Sequence, residues 1–221
     1  MKQAEFPFRD RGEAGRALAR LLEHYRGHAD LLVLALPRGG VAVASEVARA
    51  LGAQLDVLVV RKLGFPGHEE YAMGAIASGV EVINPDIVGS VAADRMAEVI
   101  ARERLELERR ERLYRGNRPP LELRGRTVIV VDDGLATGST MRAAVIAVRR
   151  QQPARICIAV PVGARQTCEQ LGGIADEIVC AEMPSPFHAV GQAYIDFHQV
   201  GDDEVQAMLE AAQPEHSSTG D

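Results

Sequence analysis

The sequence predicts an α/β fold: a doubly wound, mainly parallel sheet with a small hood formed from terminal segments. Three observations carry this reading. Short apolar runs rich in β-branched residues recur along the chain. They alternate with segments of helical spacing. The runs are largely continuous in apolar residues rather than alternating, as expected for strands covered on both faces.

The elements follow in order. Residues 13–25 have helical spacing, residues 31–36 (LLVLAL) read as the first buried strand, residues 41–51 as a helix and residues 55–60 (LDVLVV) as the second strand. Residues 61–80 (RKLGFPGHEEYAMGAIASGV) break the alternation. Glycines and a proline between two strand-like stretches predict a long loop or short hairpin, and long loops inside compact domains tend to be functional. Residues 87–115 predict a long helix. After Ile100 its charges are mixed almost all round, which fits a solvated helix held by Glu/Arg pairs three and four apart; a dimer contact or a lever on the adjacent loop is the alternative. Residues 127–131 (TVIVV) are a strand, 139–150 a helix, 155–162 (RICIAVPV) a strand, 165–171 a short helix and 177–181 (EIVCA) a strand. Residues 181–200 are expected to form the hood, and 214–221 a frayed tail. Neither repeat nor linker marks a boundary, so residues 1–213 are expected to make one domain.

Composition narrows the function classes. The 221 residues are 47% hydrophobic and 25% charged, an ordinary globular mixture that can bury a core. The formal charge of −6 gives no bulk attraction to nucleic acid or anionic lipid, so a bound phosphate must be met by a local site. Cys157, Cys168 and Cys180 are an odd count without a CxxC pair, which argues against a disulfide framework or a four-ligand zinc site and for a cytoplasmic setting. The polar N-terminus and the lack of a long apolar stretch predict neither secretion nor a membrane span.

The stretch that carries chemistry is residues 128–141, VIVVDDGLATGSTM. A buried strand ends in two consecutive carboxylates, Asp132 and Asp133. The turn from Gly134 through Ala136 and Thr137 to Gly138 then enters a helix at Ser139 and Thr140. In open α/β sheets ligands sit beyond the carboxyl ends of strands. Backbone N–H groups from Ala136 to Thr140 at a helix start, with the hydroxyls of Thr137, Ser139 and Thr140, form a cradle for a monophosphate. No lysine follows Gly138, so this is not a triphosphate-binding Walker loop. The acidic pair accepts hydrogen bonds from a vicinal diol, so a 5-phosphorylated ribose satisfies both halves.

This segment resembles the signature of the type I phosphoribosyltransferases, which bind 5-phosphoribosyl 1-diphosphate (PRPP). The wider chain resembles bacterial predicted phosphoribosyltransferases through LPRGGV (residues 36–41), RKLGFP (61–66), EEYAMGAIA (69–77) and VGQAYIDFHQV (190–200). Arg38 offers a planar multiple donor, and Gly39 and Gly40 let backbone amides approach, which suits a diphosphate. The resemblance implies that this loop holds pyrophosphate and often contains a cis peptide between non-proline residues. It also places a basic residue, Lys62 rather than Arg61, against the diphosphate, and makes the following segment a closing loop with Glu70 and Tyr71 as lid residues. Mg2+ is expected as cofactor, held mainly by PRPP oxygens, and the family's dimeric habit implies a homodimer.

The resemblance has departures. Ala136 stands where hypoxanthine-type enzymes carry an acid that contacts the base, so recognition of an oxopurine through that acid is lost while transfer chemistry is not. Phe187, Tyr194 and Phe197 concentrate aromatics in the hood and are candidates for an acceptor pocket; packing of a small subdomain is the alternative. His188 and His198 lie there too and are assigned no metal. The expected activity is transfer of a phosphoribosyl group from PRPP to a nitrogenous acceptor, such as a nucleobase, with release of pyrophosphate. Three alternatives stay open: a non-catalytic PRPP-binding regulator, for which residues 109–118 (RRERLYRGNR) form a modest basic patch; an enzyme of phosphorolysis or hydrolysis on phosphoribosyl compounds; and a partner-binding module with a vestigial motif.

Overall fold

A computed structural model describes residues 6–77, 79–84 and 89–212; the predicted tail lies outside the described residues, as do the side chains of residues 69–72. Five parallel strands form the central sheet: β1 (Leu31–Ala35), β2 (Gln54–Val57), β6 (Thr127–Val131), β7 (Arg155–Val162) and β8 (Glu177–Glu182), in the order β2-β1-β6-β7-β8. All five residues of β1 and of β6 are buried, as their unbroken apolar runs require.

Alternate residues of these strands face two cores, because successive side chains point to opposite faces. Leu31, Val33, Ala35, Ile129 and Val131 meet helices α1 (Arg11–Leu21) and α2 (Gly39–Leu51). Leu32, Leu34, Val128, Val130 and Ile158 meet α4 (Ser139–Arg150) and α5 (Arg165–Leu171). Helices α3 (Ala93–Arg115) and α6 (Asp202–Ala211) close the first core through Val99, Leu107, Val205 and Leu209.

Residues 61–80 are mostly regular structure. They belong to a second, antiparallel sheet, β3-β4-β5, with β3 at Val60–Phe65, β4 at His68–Ala77 and β5 at Val80–Ile83. The hairpin reading holds in place of the long loop, and the glycines sit where the register shifts between Leu63 and Phe65 and in the tight turns at Gly67 and Gly79. The predicted strand over residues 55–60 divides between the two sheets. After Val57 the parallel partner ends, Leu58 N–H donates to the Ala35 carbonyl (2.9 Å), and Val60 opens β3. Leu58 and Val59 remain buried throughout, so apolarity could not reveal the change of sheet.

Helix boundaries shift in the same way. The first helix begins at Arg11, capped by Asp10, whose carboxylate accepts from Glu13 N–H (2.7 Å). It ends at Leu21, with a 3-10 turn over Glu23–Tyr25. The predicted helix over 87–115 starts at Ala93. Its charged faces are laced as expected, with Arg109 and Arg110 on Glu106, while Val99, Glu103, Leu107 and Tyr114 turn inward. Glu103 accepts two hydrogen bonds from Arg61 (2.5 and 2.9 Å), tying the helix to β3.

The hood joins the N-terminal residues of the described chain to the segment that precedes α6. Phe8 N–H donates to Ala193 O, and Ile195 and Asp196 N–H donate to Phe8 and Arg9 carbonyls, all at 2.8 Å. Phe8, Ala14, Ala17, Val162, Ala193 and Tyr194 pack as its core.

Candidate active site at the switch point of the sheet

The sheet reverses winding between β1 and β6: from β1 the chain proceeds outward to β2, whereas from β6 it proceeds the other way to β7 and β8. A crevice opens outside the carboxyl ends of two such strands. Here those ends carry the two loops singled out from sequence, 36–40 after β1 and 132–138 after β6. Leu36 N–H donates to Val131 O (2.9 Å) and holds the loops together.

Contact between the loops depends on glycine. A side chain at Gly39 would collide with Asp133 Oδ2 and stand 3.0 Å from Arg11 Nε. At Gly40 it would lie 2.9 Å from Val131 O and 3.0 Å from Asp132 Cα. The PRGG loop therefore lies directly on the acidic pair. The Pro37–Arg38 peptide is cis; the residue after the bond is not proline, as the resemblance implied, although the residue before it is. Arg38 itself is part-exposed, with Nη1 3.8 Å from Asp202 Oδ1, and Tyr114 donates to the same oxygen (2.6 Å).

The turn beyond the acids is rigidly seated yet open outward. Leu135 N–H donates to Val162 O and its carbonyl accepts from Ala164 N–H, each at 2.9 Å. Thr167 Oγ1 donates to Ala136 O (2.7 Å). Gly138 precedes α4 at φ +69°, a conformation natural to glycine, with Thr167 against the place a side chain would take. Ala136, Thr137, Ser139 and Thr140 are exposed, and the Thr137 and Ser139 hydroxyls stand 3.3 Å apart. Arg142 N–H reaches back to Gly138 O (2.8 Å), so the amides before it are the unpaired first turn of a helix, available to an anion.

The carboxylates differ from one another. Asp132 Oδ1 accepts from Asp133 N–H (2.8 Å), and burial, followed by the charge of Asp133, pushes the Asp132 carboxyl well above the usual range. Asp133 is paired with Arg11, whose Nε lies 2.8 Å from Asp133 Oδ2. Arg11 also donates from Nη1 to His198 O (2.9 Å) and lies 4.0 Å above the centre of the Phe197 ring. Sequence reasoning missed Arg11. It lies 122 residues from Asp133, in no motif, and its one local sign was a position just after a helix-capping aspartate.

Sequence and structural comparisons show the family. The model of the phosphoribosyl transferase domain matches residues 11–197. The chain belongs to the phosphoribosyl transferase domain family. Two curated Mycobacterium tuberculosis proteins, provisionally named phosphoribosyl transferases, are each 46% identical to it over 216 residues, 96% of this chain and 48% of theirs. The chain thus spans about half the length of these relatives. The crystal structure of TT1426 from Thermus thermophilus is similar with a TM-score of 0.85 at 43% identity, covering 94% of this chain and 99% of that one. A hypothetical protein from Neisseria gonorrhoeae, solved with bound ppGpp, shares the fold at a TM-score of 0.50 and 16% identity, over 96% of this chain and 99% of that one.

The other predicted residues of this phosphoribosyl transferase domain are distributed as follows. Lys62, which follows closely on the predicted strand over residues 55–60, lies inside β3, opposite Ala75 in the antiparallel sheet. Gly134 is packed against Val190 of the hood. Tyr194 is buried, stacked on Phe197 with centroids 5.1 Å apart, and donates to Asp133 O (2.6 Å). Burial, with the charge of Asp133, raises its phenol and keeps it a donor. Phe187 is half-buried against the hood core, and Phe197 is 38% exposed. His188 is exposed; the His198 ring stands 3.3 Å from Asp196 and 3.4 Å from Glu204. Glu70 and Tyr71 lie in β4, with side chains outside the described residues. Arg109, Arg110 and Arg112 of the basic stretch pair with glutamates, and Arg115 and Arg118 with Asp56. Among the described residues no helix is long and apolar enough to cross a membrane.

Proposed function

We propose that the chain is a transferase that moves the 5-phosphoribosyl group of PRPP to a nitrogen of a small acceptor, a nucleobase or similar ring, releasing pyrophosphate. The observation that carries this is the meeting of an acidic pair, an open anion turn and an arginine-glycine loop at one switch point. The bond from the anomeric carbon to the diphosphate oxygen breaks, with its electron pair leaving on pyrophosphate. A bond from that carbon to the acceptor nitrogen forms, and the nitrogen's proton passes to solvent.

In this reading Asp132 and Asp133 accept hydrogen bonds from the ribose diol and stabilise positive character on the sugar. The 5-phosphate occupies the turn, meeting the Ala136, Thr137, Gly138, Ser139 and Thr140 amides and the three hydroxyls, with Gly134 setting its entry. Gly39, Gly40, Arg38 and Lys62 receive the diphosphate and the charge it gains as it leaves. Phe187, Tyr194 and Phe197 form the acceptor side, with Phe197 offering the exposed ring and Tyr194 supporting it from below. Two carboxylates against one guanidinium leave anionic excess where a diphosphate must approach, so a hard divalent cation fits there. Mg2+ held by Asp132, Asp133 and PRPP oxygens would supply charge neutralisation of the leaving group. A cytoplasmic homodimer belongs to the same proposal.

The test is ligand-induced stabilisation by PRPP with and without Mg2+, followed by pyrophosphate release across a panel of nitrogen heterocycles. A Mg2+-dependent rise in unfolding temperature, absent in the Asp132→Asn/Asp133→Asn variant, is the expected result. No rise with saturating PRPP would refute the site, and PRPP binding without pyrophosphate release for any heterocycle would favour a regulator.

A further inference from the structure

Two adjacent carboxylates in a half-buried site repel one another, and a diol clamp needs them held in place. The described part of the molecule places one cation directly on Asp133. Arg11 Nε meets Asp133 Oδ2 at 2.8 Å, with the two side chains 9% and 16% exposed. The guanidinium is itself fixed on two further sides, by His198 O at 2.9 Å and by the face of Phe197 at 4.0 Å. Its fourth neighbour is the PRGG loop, where the missing side chain of Gly39 leaves room for this ion pair.

Resting on the proposed PRPP site, we propose that Arg11 is a positioning residue: it holds the Asp133 carboxylate oriented for the ribose diol and ties that clamp to the hood. A planar fork suits this task because one edge serves the carboxylate while another serves the carbonyl. A lysine has a single donating centre and cannot meet both while lying flat on a ring. Around the pair stand Asp132 from the same loop, the Tyr194 hydroxyl on Asp133 O, and His198 with Glu204 at the start of α6. Among the described residues, Arg11 is the one cation on Asp133 within ion-pair distance. Arg11 acts through Asp133, so its removal should matter only while Asp133 is there to be held.

The experiment is a double-mutant cycle on PRPP affinity, measured by titration calorimetry with Mg2+, beside the unfolding temperature of each ligand-free protein. The proteins are wild type, Arg11→Met, Arg11→Lys, Asp133→Asn and Arg11→Met/Asp133→Asn. The expected result is that Arg11→Met weakens PRPP about 100-fold and Arg11→Lys about 10-fold, and that the double variant binds no worse than Asp133→Asn alone, as groups acting in one unit are non-additive. Affinity of Arg11→Met within twofold of wild type, with only the unfolding temperature lowered, would reduce Arg11 to a strut. Losses that multiply in the double variant would overturn action through Asp133. If Arg11→Met does not fold, wild-type affinity in Arg11→Lys overturns the proposal. Wild-type protein that fails to bind PRPP removes the proposed function and this inference together, whereas binding that survives the loss of Arg11 removes the inference alone.

Discussion

Two aspartate sites in this molecule use the same local device and reach opposite balances. On β2, Asp56 Oδ1 accepts from Val57 N–H (2.7 Å); after β6, Asp132 Oδ1 accepts from Asp133 N–H (2.8 Å). Asp56 then meets two guanidinium groups. Arg115 binds both its oxygens at 3.1 Å, and Arg118 lies 3.6 Å away. One carboxylate faces two cations, and all are committed, Arg115 also to Pro119 O and Arg118 to Leu209 O. At the switch point two carboxylates stand beside a single guanidinium, Arg11, which pairs with Asp133. The first site is closed, and its chemistry is spent on joining the end of α3 to the sheet. The second keeps unspent acceptors beside an open anion turn, which is the condition of a binding site.

That contrast breaks if neutralising the two sites has similar consequences. The largest expected effect is loss of PRPP binding by at least about 100-fold in Asp132→Asn/Asp133→Asn, read by calorimetry, as two charge-assisted contacts disappear. Asp56→Asn should leave PRPP affinity unchanged and instead lower stability by about 3 kcal/mol, since Arg115 is left buried without its counter-charge. In a chain this long that is roughly a 10 °C fall in unfolding temperature. A PRPP defect in Asp56→Asn would erase the distinction.

Gly39→Ala sharpens the same comparison from the neighbouring loop. A methyl group there meets Asp133 Oδ2, so we expect PRPP affinity to fall about tenfold or more with far-ultraviolet circular dichroism unchanged. Asp132→Asn alone should stabilise the ligand-free protein. A carboxyl whose pKa is raised by folding contributes stability that is present below its unfolded value and is lost as pH rises through its folded value. The variant escapes that loss, so its advantage grows with pH, on the order of 2–4 °C in unfolding temperature per kcal/mol relieved. An unfolding temperature below wild type at neutral pH would contradict this. The smallest effect is expected at Asp202→Asn. Releasing Arg38 from a long, part-exposed contact should tighten PRPP about twofold to threefold, and weaker binding would show that Asp202 orients Arg38 rather than detains it.

The amino-acid sequence by itself determined the features that are contiguous in the chain. TVIVV followed by Asp132, Asp133 and the glycine turn is a buried strand, its end and a helix start, and a parallel strand's end has only one place to be in such a sheet. LPRGG after the first strand was legible for the same reason. Tertiary structure alone decided the counter-charge. Arg11 reaches Asp133 across 122 residues because the N-terminal segment pairs with the hood and delivers α1 to the carboxyl end of β6. It also decided that Val60 leaves the sheet to which Val57 belongs, and that Lys62 lies within an antiparallel strand. Apolar pattern reports that a residue is buried, and local motif reports which groups are offered. Which distant charge completes them is a matter of packing, and no period or spacing in one chain records it.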